Sequence, residues 1–248
     1  MSTILNQNRI LEFLNSNFTV ENIMIPVEKL MKGFSQQECL NLLSSQSQFD
    51  TIPLIQKESI KGYYMRDSEF FNKLEIEELV SSSTGIFELL DILQKRKFCF
   101  VFKGNITVGF VEYADLNQQI VKIPFYVLLQ TLEGLILDQI RPLTERDILS
   151  LHDQERASKI IKSYEQQRYA DVDVDFANNL YYDEIVNFGI NKGVLSIKPK
   201  MVRLMADYRN RVSHADKLLV KTRSEINRLI KIKEACMTSI TELTEIPK

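Results

Sequence analysis

The chain has 248 residues, 44% of them hydrophobic and 26% charged, and a net charge of −2 at pH 7. These are the proportions of a folded chain, not of a disordered tail or a fibrous repeat, and the length implies two domains of ordinary size. The weak charge excludes a uniformly basic nucleic-acid binder, and 8 glycines with neither G-x-G-x-x-G nor G-x-x-x-x-G-K-[ST] exclude Rossmann and P-loop phosphate sites. The opening stretch from Met1 to Phe18 has no basic run ahead of an apolar one, and Glu12 falls inside its apolar part. No stretch approaches 18 uninterrupted apolar residues, so a cytoplasmic chain without a membrane span is expected. Cys39, Cys99 and Cys236 are scattered and odd in number, which reads as buried thiols in a reducing compartment, without a disulfide.

Residues 34 to 64, moved forward by 47, align with a second segment without a gap. Leu40, Leu42 and Leu43 fall on Phe87, Leu89 and Leu90, and Gly62-Tyr63-Tyr64 falls on Gly109-Phe110-Val111. In the first copy Ser35 and Glu38 form a capping box that opens a helix ending near Ser44-Ser45. Thr51 to Ile55 then reads as a strand, Gln56 to Ser59 as a turn and Ile60 to Tyr64 as the returning strand. In the second copy Thr84 or Ser83 starts a helix through Leu93, Phe98 to Phe102 is an apolar strand, Lys103-Gly104-Asn105 a hairpin turn, and Thr107 to Val111 the return. Such small units cannot bury both faces alone and are expected to pack as a pair.

Val20-Glu-Asn-Ile-Met-Ile-Pro26, Phe49-Asp-Thr-Ile-Pro-Leu-Ile55 and Gly109-Phe-Val-Glu-Tyr-Ala-Asp115 resemble segments of tandem cystathionine-β-synthase (CBS) domains. The resemblance covers about residues 15 to 121, with one repeat at about 15–70 and the other at about 75–121. It implies an α+β pair of β-α-β-β-α-type repeats and an adenine nucleotide, AMP- or ATP-like, as regulatory ligand. In that family an Asp at the end of the last segment holds the ribose hydroxyls, which points to Asp115 and, through a copy one residue shorter, to Asp67. Glu112 stands where the family has Ser or Thr, placing an anionic group where a phosphate approaches. The residues alone equally allow a dimerising scaffold in which Asp67 and Asp115 are helix N-caps.

Helical periodicity takes over near Lys122-Ile-Pro124. Tyr126, Leu128, Leu129, Leu132, Ile136, Leu137 and Ile140 give an amphipathic helix from Phe125 to about Arg141-Pro142, with Glu133 and Asp138 on its polar side. A charged helix is expected over Glu145 to Tyr169, and a third from Phe176 to Phe188, broken by Gly189 or Gly193. Asp171-Val-Asp-Val-Asp175 lacks the Gly and Glu of a calcium loop and reads as a linker or helix start. Pro199 suits the first turn of a helix whose inward stripe is Met201, Leu204, Met205, Tyr208 and Val212. At about 100° per residue, Arg209, Asn210 and His214 lie at roughly 0°, 100° and 140° and converge in one wedge.

A guanidinium holds a phosphate in two contacts, an imidazole carries protons near neutrality, and a carboxamide orients either. With an RNA 2′-hydroxyl as nucleophile the set suits metal-independent phosphodiester cleavage. One suitably placed histidine per chain implies a two-fold dimer supplying two. Arg209-Asn210 followed by His214 resembles the motif of the HEPN superfamily, and Leu132-Glu133 resembles that family's first helix, over about residues 124 to 240. The resemblance implies an all-α bundle acting as an endoribonuclease that needs no cofactor. Arg209 would hold the scissile phosphate, His214 shuttle the proton, Asn210 orient the groups and Glu133 approach them. The bland alternative pairs Arg209 with Asp207 or Glu133 and leaves His214 capping or packing, in a bundle that binds nucleic acid or a protein without chemistry. The basic run from Lys217 to Lys233 guides an RNA backbone in one reading and is a solvated helix face, with Leu218, Ile226, Leu229 and Ile232 docked inward, in the other. His152 lies in a polar stretch and carries no functional reading.

Overall fold

The computed structural model describes residues 7–57, 59–170 and 175–245. In chain order its elements are α1 (Gln7–Asn17), β1 (Ile25–Pro26), α2 (Gln36–Ser45), β2 (Thr51–Gln56), β3 (Ser59–Met65), β4 (Ser68–Lys73), β5 (Leu79–Ser81) and α3 (Ile86–Lys95). They continue with β6 (Phe98–Lys103), β7 (Ile106–Glu112), α4 (Gln119–Ile140), α5 (Glu145–Leu149), α6 (Gln154–Tyr169), α7 (Tyr182–Asn191), α8 (Pro199–Ser213) and α9 (Ile226–Glu245). Two compact units result. One comprises residues 11–122 with 218–230, the other the described residues among 1–10, 123–217 and 231–248.

The first unit is α+β and carries two sheets, of strand order β1-β7-β6-β5 and β2-β3-β4. In each copy a helix leads into an antiparallel hairpin, β2 with β3 and β6 with β7. Ser35 caps α2, its hydroxyl accepting from the Glu38 N–H, while the Glu38 carboxylate reaches back to the Phe34 N–H at 2.9 Å. The aligned glycines serve one purpose in both copies. A Cβ on Gly62 would lie 2.3 Å from the Asn72 carbonyl of β4, and one on Gly109 would lie 2.9 Å from the Ile25 carbonyl of β1. Each hairpin's return strand is thereby approached by a further strand, with Gly62 opposite Lys73 and Gly109 opposite Pro26.

Two expectations for this unit are corrected. Arg66 and Asp67 form a tight turn into β4, a strand the repeat did not disclose, so Asp67 is not a helix N-cap. The chain turns back because Phe71 packs on Tyr64, with ring centroids 5.6 Å apart. Helix α3 is capped by Gly85, not by Ser83 or Thr84, because the backbone there is bridged to Thr19 and a side chain would strike Asn15. The core that joins the copies is aromatic: Tyr63 from β3 meets Phe98 and Phe100 from β6, and Phe110 from β7 meets both phenylalanines.

Among its described residues the second unit is built of helices and loops alone. Helix α4 starts at Gln119, not at Phe125, and runs through Pro124. Pro124 is the sixth residue of the helix, just past the N–H groups that have no partner within it, so it leaves the Ile120 carbonyl without its i+4 donor close to the helix start. By length and composition α4 is apolar enough to cross a membrane, yet Phe125, Leu128, Leu129, Leu132, Ile136 and Ile140 are fully buried in the protein, as in a core helix. The single helix expected over Glu145 to Tyr169 is two, since Asp153 caps a fresh start by accepting from the Arg156 N–H at 2.8 Å. Phe176–Asn179 forms only a short turn of 3-10 helix before α7, and Gly193 ends the following segment at φ 73°. Asp171 to Val174 lie outside the described residues; Asp175 caps the short turn. Pro199 opens α8, whose Val202, Met205, Tyr208 and Val212 are buried.

The basic run is not one helix. Residues before Ile226 form a loop and a single turn, Arg223–Glu225, and Leu218 is exposed. All three cysteines are buried and joined in no disulfide, and burial raises each thiol, that of Cys99 to about 11, so none is poised as a thiolate nucleophile at neutral pH.

Candidate functional site

A cleft of about 430 Å³ opens in the α+β unit between the two copies. Phe49, Met65 and Pro53 from the first copy and Phe98 and Phe110 from the second provide its apolar surface. Asp50, Asp67 and Glu112 bring carboxylates, Lys97 and Arg223 bring cations, and Thr51 and Tyr113 bring hydroxyls. These side chains arrive together because the ends of the two hairpins face one another. β2 begins at Thr51 and β3 ends at Met65, while β6 begins at Phe98 and β7 ends at Glu112.

Asp67 lines the cleft from the β3–β4 turn and is exposed. Asp115 is absent from the lining. Its carboxylate instead accepts from the Glu112 N–H at 2.9 Å and from Gln118 Nε2 at 3.4 Å, closing the turn after β7. Burial pushes the Asp115 carboxyl up, and those two hydrogen bonds pull it back. Glu112 does line the cleft, half-buried. Burial raises its carboxyl above the ordinary range, and the neighbouring charges of Asp115 and Asp50 add to the rise.

Lys97 and Arg223 were not legible as cleft residues. Arg223 comes from a segment far along the chain, and its guanidinium donates to the carbonyls of Leu93 at 3.0 Å and Gln94 at 2.9 Å. These belong to the last turn of α3, where orphan carbonyls concentrate negative charge. Only the basic character of the run around Arg223 hinted at a role, and nothing in the sequence indicated where it would fold.

In the helical unit α4 and α8 bring Glu133 and Arg209 together, with Arg209 Nε 3.7 Å from Glu133 Oε2. The same carboxylate oxygen accepts from Gln130 Nε2 at 2.6 Å. Tyr182 of α7 is buried close by; burial holds its hydroxyl well above the ordinary range, the charges of Cys236 and Glu133 raising it further and that of Arg209 lowering it. Among the described residues neither the Tyr182 hydroxyl nor Arg209 Nε has a hydrogen-bond partner. Asp207 pairs with Arg211, not with Arg209.

Asn210 and His214 are both exposed, and here the helical-wheel expectation is corrected. Helix α8 stops at Ser213, and His214 is its C-cap residue at φ −118° and ψ 124°. It therefore leaves the helix axis and does not share the wedge of Arg209 and Asn210 in the way a continuous helix would dictate. The Ser213 hydroxyl donates to the Arg209 carbonyl at 2.8 Å and helps to finish the last turn.

His152, without a role in the sequence, joins a half-buried network. Arg156 donates twice to Glu184 at 2.6 Å and once to the Asn179 carbonyl at 3.0 Å, and its guanidinium lies 3.9 Å over the Tyr181 ring. His152 Nδ1 lies 3.7 Å from the same Glu184 carboxylate.

The chain matches no protein-family model and no curated protein. Its structure is similar to that of the CBS domain of a bacterial CNNM/CorC family Mg²⁺ transporter in complex with ATP, at 16% identity and a TM-score of 0.35, over 46% of this chain and 94% of that chain. A second structure of such a CBS domain is similar at 17% identity and a TM-score of 0.35, over 49% of this chain and 86% of that one. A third, in complex with the inhibitor IGN95a, has 17% identity and a TM-score of 0.33 over the same shares.

Proposed function

We propose that the α+β unit is a regulatory module that senses an adenine nucleotide in the cleft between its two copies. The cleft itself carries the reading. Its volume lies in the range of small-molecule sites, at about 300–1,000 Å³. Its aromatic and thioether surface suits a flat heterocycle, and the Asp67 carboxylate can accept from ribose hydroxyls. Titration calorimetry of the full chain with AMP tests this. Saturable heat with a dissociation constant below about 1 mM is expected, which corresponds to roughly −4 kcal/mol or better. The absence of heat at millimolar AMP and ATP overturns the reading.

For the helical unit we propose, as a second reading, a metal-independent endoribonuclease that works as a homodimer on RNA; the Arg209–Glu133 contact fits this reading and the non-catalytic bundle alike, so the cleavage experiment with His214→Ala decides between them. Arg209 binds the scissile phosphate once it exchanges the Glu133 carboxylate for the substrate, Asn210 orients the groups, and His214 of each subunit supplies one of the two proton carriers. His214→Ala then lowers cleavage in excess EDTA at least about 100-fold, the size of a lost general acid–base, and leaves thermal unfolding unchanged because His214 is exposed. The wild-type products end in 2′,3′-cyclic phosphates. Equal cleavage by both proteins, or none by either, rejects the enzyme and leaves a bundle that binds nucleic acid or a protein partner without chemistry.

A further inference from the structure

The charges that line the cleft bear on which adenine compound it takes. Three carboxylates, Asp50, Asp67 and Glu112, face two cations, Lys97 and Arg223. Of these, Asp50 has Arg66 at 3.6 Å, while Arg223 directs Nε and Nη2 to the last carbonyls of α3, whose partial negative charge moderates the guanidinium's pull on a ligand. Glu112 is the carboxylate least exposed to water, with Asp115 immediately behind it. A charge held at such a wall is screened less than one at the surface and acts more strongly on a ligand. A phosphate chain entering the cleft finds the cations Lys97 and Arg223 but also meets Glu112, the carboxylate screened least by water.

We infer that the cleft prefers a nucleoside or nucleoside monophosphate over the di- and triphosphate, and that Glu112 is the residue that sets this preference. The inference rests on the adenine-nucleotide reading and narrows it to a class of weakly charged ligands. Two unit charges roughly 7 Å apart, in a dielectric between that of a protein surface and that of water, repel enough to change affinity by about fivefold. The effect accumulates as phosphates are added. Thr or Gln at position 112 removes the charge; Gln also preserves the side chain's shape, and the backbone N–H that Asp115 accepts from is retained.

The experiment is a calorimetric ladder of adenosine, AMP, ADP and ATP against the wild-type chain and Glu112→Gln, at constant ionic strength in EDTA so that no divalent cation masks the phosphates. The wild type is expected to bind ATP at least about tenfold more weakly than AMP. In Glu112→Gln, ATP is expected to recover at least about fivefold, while adenosine changes by less than about twofold. ATP as the tightest wild-type ligand overturns the inference and leaves the sensing function intact, and the wild-type ladder alone decides this if the variant does not fold. A variant that shifts adenosine and ATP by the same factor also overturns it. No binding of any of the four compounds to either protein overturns both this inference and the reading it rests on.

Discussion

Phe100→Ala lowers the unfolding free energy by about 3–5 kcal/mol, the usual cost of deleting a buried aromatic ring. Phe100 is fully buried on β6, an inner strand of the four-stranded sheet. Its ring centroid lies 5.4 Å from that of Tyr63, 5.5 Å from Phe98 and 5.6 Å from Phe110, so removing it unpacks all three. For a chain of this size the loss lowers Tm by on the order of 10 °C. Phe98 and Phe110 also line the cleft, so the variant loosens a wall of the ligand site and weakens binding as well. Phe70→Ala is the control. That ring is 80% exposed on β4, and its removal is expected to change stability by about 0.5 kcal/mol or less. Equal losses in the two variants, by thermal or urea unfolding, would contradict the aromatic core described above.

Glu184→Ala is expected to cost about 2–3 kcal/mol at pH 7, because it removes the charged hydrogen-bond partner of the half-buried Arg156 guanidinium. The Glu184 side chain is 15% exposed and that of Arg156 17%, and two hydrogen bonds of 2.6 Å join them. Burial alone would raise the Glu184 carboxyl. The Arg156 hydrogen bonds, the Tyr181 N–H and the charges of Arg156 and His152 outweigh it, and the net direction is downward from the ordinary value of 4.5. A carboxyl lowered in the folded state contributes stability that is complete above its unfolded value and is lost as the pH falls through its folded one. The gap between wild type and Glu184→Ala is therefore widest near neutrality and narrows as the pH drops below about 4.5. Urea denaturation at pH 7 and pH 3 checks this, and a gap that widened in acid would contradict it.

Much of the α+β unit was legible because its signals are local. A serine followed three residues later by a glutamate marks the start of α2, and Lys103-Gly104-Asn105 marks the turn between β6 and β7, where Gly104 adopts φ 63°. The repeat aligned Gly62 with Gly109, and in both places a neighbouring strand leaves no room for a Cβ. What escaped depends on partners distant in sequence. β4 exists because Phe71 finds Tyr64, and Arg223 reaches the end of α3 across 130 positions, which no periodicity records. The same holds at the sites. Arg209 and Glu133 were readable as a pair from their helices, but where α8 stops depends on the extended backbone at His214, and a helical wheel assumes there is no stop. Asp115 bears the motif, yet its oxygens go to its own turn, whereas Glu112, the departure from the family pattern, faces the cleft.

Photolabelling of the full chain with 2-azido-AMP, followed by peptide mapping, tests most directly whether the cleft is the sensing site. The account predicts label in the stretches 49–67 and 97–113, which supply Phe49, Asp67, Phe98 and Tyr113 to its walls, and protection of those peptides by excess AMP. Saturable label confined to other peptides, or label in the cleft that excess AMP does not displace, would contradict it.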